Sequence, residues 1–135
     1  MRVNARIQRR QKRERAWLPG SLRLVLNVIN DKAIERQDQT SYRRLNQTFH
    51  FAIYEKADSP HLLEMIKSLW GRVGPIFNSL FDDPQYDEHA NMHHRQIVQA
   101  LKNQDSLAVR AKLAEDITAA ARTLLPRLDA VNAQE

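Results

Sequence analysis

From Ser21 onward, apolar residues return every three or four positions, and this recurrence restricts the fold more than any other feature. Leu22, Val25, Leu26, Ile29 and Ala33 mark one amphipathic helix over 22–36. Tyr42, Leu45, Phe49, Ile53 and Ala57 mark a second, over about 40–57. A third runs from Pro60 to about residue 82 on Leu62, Leu63, Ile66, Leu69, Trp70, Val73, Ile76, Phe77 and Leu80, with a kink expected at Gly74-Pro75. Asp82-Asp83-Pro84 ends it. Ile97, Val98 and Leu101 give the inner side of a fourth helix over about 87–103. Leu107, Val109, Leu113, Ile117, Ala120, Ala121 and Leu124 carry a fifth to about 128. Ser59 and Asp105 stand where N-caps belong, and Pro60 suits a first helical turn, where its missing N–H costs nothing. Strand signals are missing: there is no sustained alternation, and no Asn-Gly or Asp-Gly turn. The expected fold is all-α, an antiparallel bundle of about five to six helices with short connections.

A chain of 135 residues holds one core. Three glycines leave no glycine-rich phosphate cradle, and neither GxGxxG nor GxxxxGK[ST] occurs. Without cysteine there are no disulfides, no thiolate metal sites and no thiol catalysis. No apolar run approaches the ~18 residues of a membrane span, and no apolar stretch follows the charged N-terminus to make a secretory signal. A cytoplasmic protein with no membrane partner is the expectation. The net charge of +5 is uneven: Arg2, Arg6, Arg9, Arg10, Lys12, Arg13 and Arg15 face the single acid Glu14 within residues 1–16. The remainder is close to neutral. Residues 1–20 read as a basic, poorly ordered extension and 21–130 as the helical domain, with Trp17-Leu18-Pro19-Gly20 as the break. Such an extension attracts nucleic acid without reading sequence.

Four polar residues interrupt faces that are otherwise apolar. Asn46 and His50 are four apart and share one face of the second helix. His94 is followed at three, four and seven residues by Ile97, Val98 and Leu101, which puts it on the inner side of the fourth helix. Asp116 lies three residues after Leu113 and four before Ala120. Two imidazoles, a carboxylate and an amide oxygen from three helices make a mixed nitrogen–oxygen set suited to Zn, Ni, Mn or Fe. The plainer alternative is a buried hydrogen-bonded network in which His94 pairs with Asp116. Both stay open at this level. His89 and His93 form a separate i, i+4 pair on a mixed face, and His61 reads as a surface residue.

Tyr42-Arg43-Arg44-Leu45-Asn46-Gln47-Thr48-Phe49-His50, followed by Ala57-Asp58-Ser59-Pro60-His61-Leu62, resembles the D/N-x-x-F-H … N-P-x-L stretch of the FCD domain. This is the C-terminal, ligand-sensing domain of FadR-type GntR transcription regulators. His94-Arg95-Gln96-Ile97-Val98-Gln99-Ala100-Leu101, with Asp105 and Ala108, resembles the next stretch of the same domain, and the likeness covers roughly residues 22–128. It implies a helical bundle that binds a small organic acid, often beside a divalent metal, and so alters the geometry of a DNA-binding dimer. The family's ligands, an Asp or Asn and three His, fall on Asn46, His50, His94 and position 116, which here is Asp116. The set keeps a carboxylate but moves it, so the identity of the metal, and whether one binds, is open. Arg72 falls where the family often has an arginine near the cavity, and would pair with an effector carboxylate. The family's winged helix-turn-helix has no counterpart before Leu22, so DNA is an expected partner only through a domain this chain lacks.

The expectation is therefore a regulatory domain rather than an enzyme, dimeric, with a small carboxylic acid as effector. Phe51 and Phe81 are candidates for a partner surface. The alternative is a metal-dependent helical-bundle enzyme on the same residues. It lacks a separate general base and the paired Glu-x-x-His motifs of di-iron bundles.

Overall fold

The computed structural model describes residues 38–82 and 84–133; the helix expected over 22–36 and the basic extension lie outside them. Four helices follow in order: α1 (Gln39–Glu55), α2 (Pro60–Asn78), α3 (Pro84–Lys102) and α4 (Ser106–Asn132). A 3-10 turn, Ser79–Asp82, joins α2 to α3. The described residues contain no strand. The four helices are the second to fifth of the five read from the sequence, and the all-α class holds. Within the described residues the count is thus four rather than five to six.

Helix ends follow their local chemistry. Asp38 caps α1 by accepting from the Ser41 backbone N–H at 3.1 Å and from its hydroxyl at 2.6 Å. Asp105 caps α4 by accepting from the Ala108 N–H at 2.9 Å. Ser59 holds the N-cap position of α2, but its side chain makes no capping bond; Pro60 sets the start instead. Pro84 does not end a helix, as the sequence suggested, but opens α3, three residues earlier than read. Pro75 is accommodated inside α2, which runs on to Asn78. Between α3 and α4, Gln104 takes φ 56° while its N–H bonds to Leu101 O and that of Asp105 to Ala100 O. This pair of bonds closes a Schellman turn with a non-glycine residue in the left-handed position.

Contacts set the directions. Ile97 and Leu113 share one cluster and Tyr86 and Leu124 another, so α3 and α4 run antiparallel. Tyr42 meets Asn91 and Phe49 meets Ile97, so α1 and α3 run parallel. Phe51 meets Trp70 and Tyr42 packs near Phe77, so α2 is antiparallel to α1. The main core joins Phe49, Ala52, Ile97 and Val98, with Leu45, Ile53, Leu101 and Leu113 around them. Burial of a side chain the size of Phe49 or Ile97, both fully enclosed, contributes about 1.5–3 kcal/mol. Among the described residues α2 is the exception. None of its side chains is fully buried, and Leu62, Met65, Leu69, Val73 and Ile76 are all exposed. Phe51, read as a surface residue, is half-buried and meets the Trp70 ring edge-on at 5.4 Å. The Phe81 side chain lies outside the described set.

Candidate metal centre

Three of the four expected residues converge. His50 comes from α1, one turn after Asn46; His94 comes from α3, three residues before its apolar run begins at Ile97; Asp116 comes from the inner stripe of α4. All three are buried, and Asn46 is buried beside them. One donor atom from each of His50, His94 and Asp116 lies within 4.8 Å of the others. Asp116 Oδ2 sits between the two rings, 3.2 Å from His50 Nε2 and 3.5 Å from His94 Nε2.

The partners of these groups separate the two rings. His50 is held on both nitrogens: Nε2 faces Asp116, and Nδ1 lies 3.3 Å from the Tyr54 hydroxyl, one turn further along α1. Trp70 packs beside it at a tilt, with ring centroids 5.7 Å apart. His94 packs against Phe49 at 4.5 Å, yet both of its ring nitrogens are buried without a hydrogen-bond partner. Its Nε2 reaches Asp116 only at ion-pair distance, without hydrogen-bond geometry. A buried imidazole with two idle nitrogens is costly by about 1–3 kcal/mol for each group left unpaired. A ligand for Nε2 would remove part of that cost.

Charge is tuned in the same place. Burial pushes the Asp116 carboxyl up, but the two imidazoles beside it pull harder the other way and hold it well below the ordinary carboxylate range. Burial holds the His94 imidazole below the usual histidine range against the opposing pull of Asp116. The Tyr54 hydroxyl is pushed up to about 12 by burial and by the charge of Asp116. At neutral pH the site therefore holds an ionised carboxylate, an uncharged His94 and a protonated tyrosine, which are the forms a divalent cation needs of its ligands and their supports.

Two of the three donor separations match those of ligands on a shared ion. Nitrogen and oxygen ligands at about 2.0–2.1 Å from a tetrahedral zinc-like ion stand about 3.3 Å from each other. The two nitrogen-to-oxygen separations, 3.2 and 3.5 Å, bracket that value.

A cavity of about 190 Å³ is lined by His50 and Asp116 of this cluster and by Asn46, Tyr54 and Tyr86, while His94 lies outside its lining. Asp116 also lines a second cavity of about 320 Å³ on the side of His89 and His93. His89 is exposed and its Nδ1 meets Gln85 O at 2.7 Å; His93 is half-buried; neither joins the three-donor group. His61 is exposed, as read. Arg72 is exposed and outside the lining of the 190 Å³ cavity. At 100° per residue it stands roughly 120° round α2 from the stripe of Ile66, Leu69, Trp70, Val73 and Phe77 that faces the cavity. Tyr54 and Trp70 were not singled out from the sequence. The i, i+4 spacing from His50 makes Tyr54 legible in retrospect, whereas Trp70 meets His50 only through the packing of α2 on α1.

Comparison with known proteins bears on this arrangement. The FCD domain profile matches residues 22–119. The HTH-type transcriptional regulator McbR of Escherichia coli (strain K12) is 34% identical over 87 residues, which take in 62% of this chain and 39% of McbR. The match thus spans well under half the length of that relative. No solved structure matches. The profile runs through α1, α2, α3 and the half of α4 that carries Asp116, and so through every residue of the cluster: the chain belongs to the FCD domain family.

Proposed function

We propose that this chain is the effector-sensing part of a GntR-type transcription regulator, with a divalent metal on His50, His94 and Asp116 and a small organic acid as effector. Asn46 supplies a neutral amide oxygen from the turn before His50. The observation that carries this reading is the buried group of three donors, one of them a histidine with no hydrogen-bond partner on either nitrogen, the other two lining a cavity. Three protein ligands leave open positions on a four- to six-coordinate ion, and a carboxylate entering from the cavity would fill one. The ligands come from α1, α3 and α4, so occupancy of the site fixes three helices relative to one another. In a homodimer carrying DNA-binding domains, such a change would alter their spacing; the likeness to an HTH-type transcriptional regulator supports that role. The regulator reading also favours a cytoplasmic setting, and no described helix is long and apolar enough to cross a membrane.

The test is calorimetric. Zn, Ni and Mn are titrated into chelator-treated protein, and organic acids then into each metal-loaded form. The expected result is one metal per chain, lost in His94→Ala, and an acid that binds only when the metal is present. A folded wild-type chain that takes up none of these metals at the site overturns the reading.

A further inference from the structure

The walls of the 190 Å³ cavity narrow the class of acid, an inference that rests on the effector-site reading above. Its polar lining is Asn46, His50 and Asp116 with the hydroxyls of Tyr54 and Tyr86. The apolar lining is Ile66, Leu69, Trp70, Val73 and Phe77 of α2, with Ile117 and Ala120 of α4. No lysine or arginine lines the cavity among the described residues. The Tyr54 hydroxyl is engaged by His50. Arg43 and Arg44 belong to a different cleft of about 270 Å³, which shares Asn46, Trp70 and Phe77 with the cavity. The rim is apolar too: Leu69, Val73 and Ile117 are 58%, 42% and 49% exposed.

From these facts we infer that the ligand is a small monocarboxylic acid with an apolar body, aromatic or branched, and not a dicarboxylic or sugar acid. Charge balance gives the first reason. A divalent cation, the Asp116 carboxylate and one ligand carboxylate sum to zero. A second ligand carboxylate would leave a net negative charge in a cavity whose described lining holds no lysine or arginine, and such burial is strongly unfavourable. Hydroxyl groups fare little better: away from the cluster, the described lining offers them only the Trp70 indole N–H and the Tyr86 hydroxyl, too few for a polyhydroxylated acid. Size gives the second reason. A dry apolar cavity of about 150 Å³ accepts benzene, so about 190 Å³ takes one ring or a branched chain with its carboxylate turned to His50 and Asp116.

The experiment uses the full metal-loaded chain, with metal uptake measured first. Benzoate, phenylacetate and 3-methylbutanoate are compared with succinate and gluconate by calorimetry, and metal retention is checked after each titration. The expected result is binding of at least one apolar monoacid at least tenfold tighter than either succinate or gluconate. Succinate or gluconate binding as tightly as the monoacids, on protein that holds its metal, overturns the inference and leaves the effector-site reading standing. Protein that takes up no metal removes both. Val73→Arg places a cation on an exposed position of the wall. It should move the preference toward succinate by at least tenfold; an unchanged ratio in a folded, metal-bound variant overturns the inference as well.

Discussion

Asp116→Asn is the substitution that separates a metal centre from a buried hydrogen-bonded network. The side chain keeps its shape, and the amide oxygen can still accept from His50 Nε2–H across the present 3.2 Å. Metal-free stability at neutral pH should therefore change little if the carboxylate serves only that bond. A metal ligand is different, because the amide lacks the charge that binds the cation. Removing even a support of a metal ligand costs 10–100-fold in affinity, so loss of the carboxylate itself should cost at least about 100-fold. At a free metal concentration of 100 times Kd, the wild type gains about 2.7 kcal/mol, while a variant 100-fold weaker gains about 0.4 kcal/mol at the same concentration. With about 4 °C per kcal/mol for a chain of this size, the melting temperature should rise by about 10 °C in the wild type and by about 2 °C in the variant. The assay is a thermal melt by circular dichroism of chelator-treated protein, with and without Zn, Ni and Mn. Equal shifts in the two proteins would refute the reasoning, since the cation would then sit elsewhere, for instance on His89 and His93.

Other expectations follow from the same geometry. Tyr54→Phe removes the partner of His50 Nδ1 and should weaken metal binding by about 10–100-fold while altering the metal-free melting temperature by no more than a few degrees; unchanged affinity would detach Tyr54 from the site. Both Asp116 and His94 titrate lower in the folded chain than in the unfolded one, so the unfolded chain binds more protons as pH falls. Stability should be fully present above about pH 6.5, decline below it as the unfolded histidine takes up a proton that the buried His94 does not, and decline further below about pH 4 as the unfolded aspartate does the same, with each proton worth about 1.4 kcal/mol per pH unit. Melts across this range should show His94→Asn losing the upper step; a variant that keeps it would assign the step to another group. Asp105→Ala should cost about 1 kcal/mol through the lost cap of α4, read from urea midpoints at constant slope. Gln104→Gly should stabilise by a few tenths to 1 kcal/mol, because glycine enters the left-handed position without steric penalty; a destabilised variant would show that the Gln104 side chain matters more than its backbone angle.

Helix identity was legible because period and punctuation agreed. The apolar steps through Tyr42, Phe49 and Ile53 and the cap at Asp105 each predict an element the chain forms. The site was legible to the level of faces. His94 was separable from His93 because adjacent helical residues point about 100° apart, and only His94 aligns with Ile97 and Leu101. Face assignment says nothing of how helices are rotated against each other. That Asp116 Oδ2 falls between two rings from α1 and α3 depends on that rotation, as does the contact of Trp70 with His50. Arg72 shows the limit of carrying a position across a likeness: sequence distance placed it near the cavity, whereas its place on the α2 circumference put it in solvent. α2 itself is apolar around so much of its surface that the pattern announces a helix without announcing its inner face.

That same breadth has a thermodynamic consequence. Hydrogen exchange through sub-global opening is slowest where burial is deepest. Phe49 and Ile97 fasten α1 to α3, whereas α2 leans on its neighbours through partly buried residues such as Trp70 and Phe77. Its amides should therefore exchange with solvent first, from openings that leave the other three helices intact. A molecule in the cavity touches Trp70 and Phe77 directly and adds to α2 the contact area it lacks. Occupancy would then be written as slowed exchange along α2, so that the domain reports its ligand through the order of one helix as much as through the displacement of any.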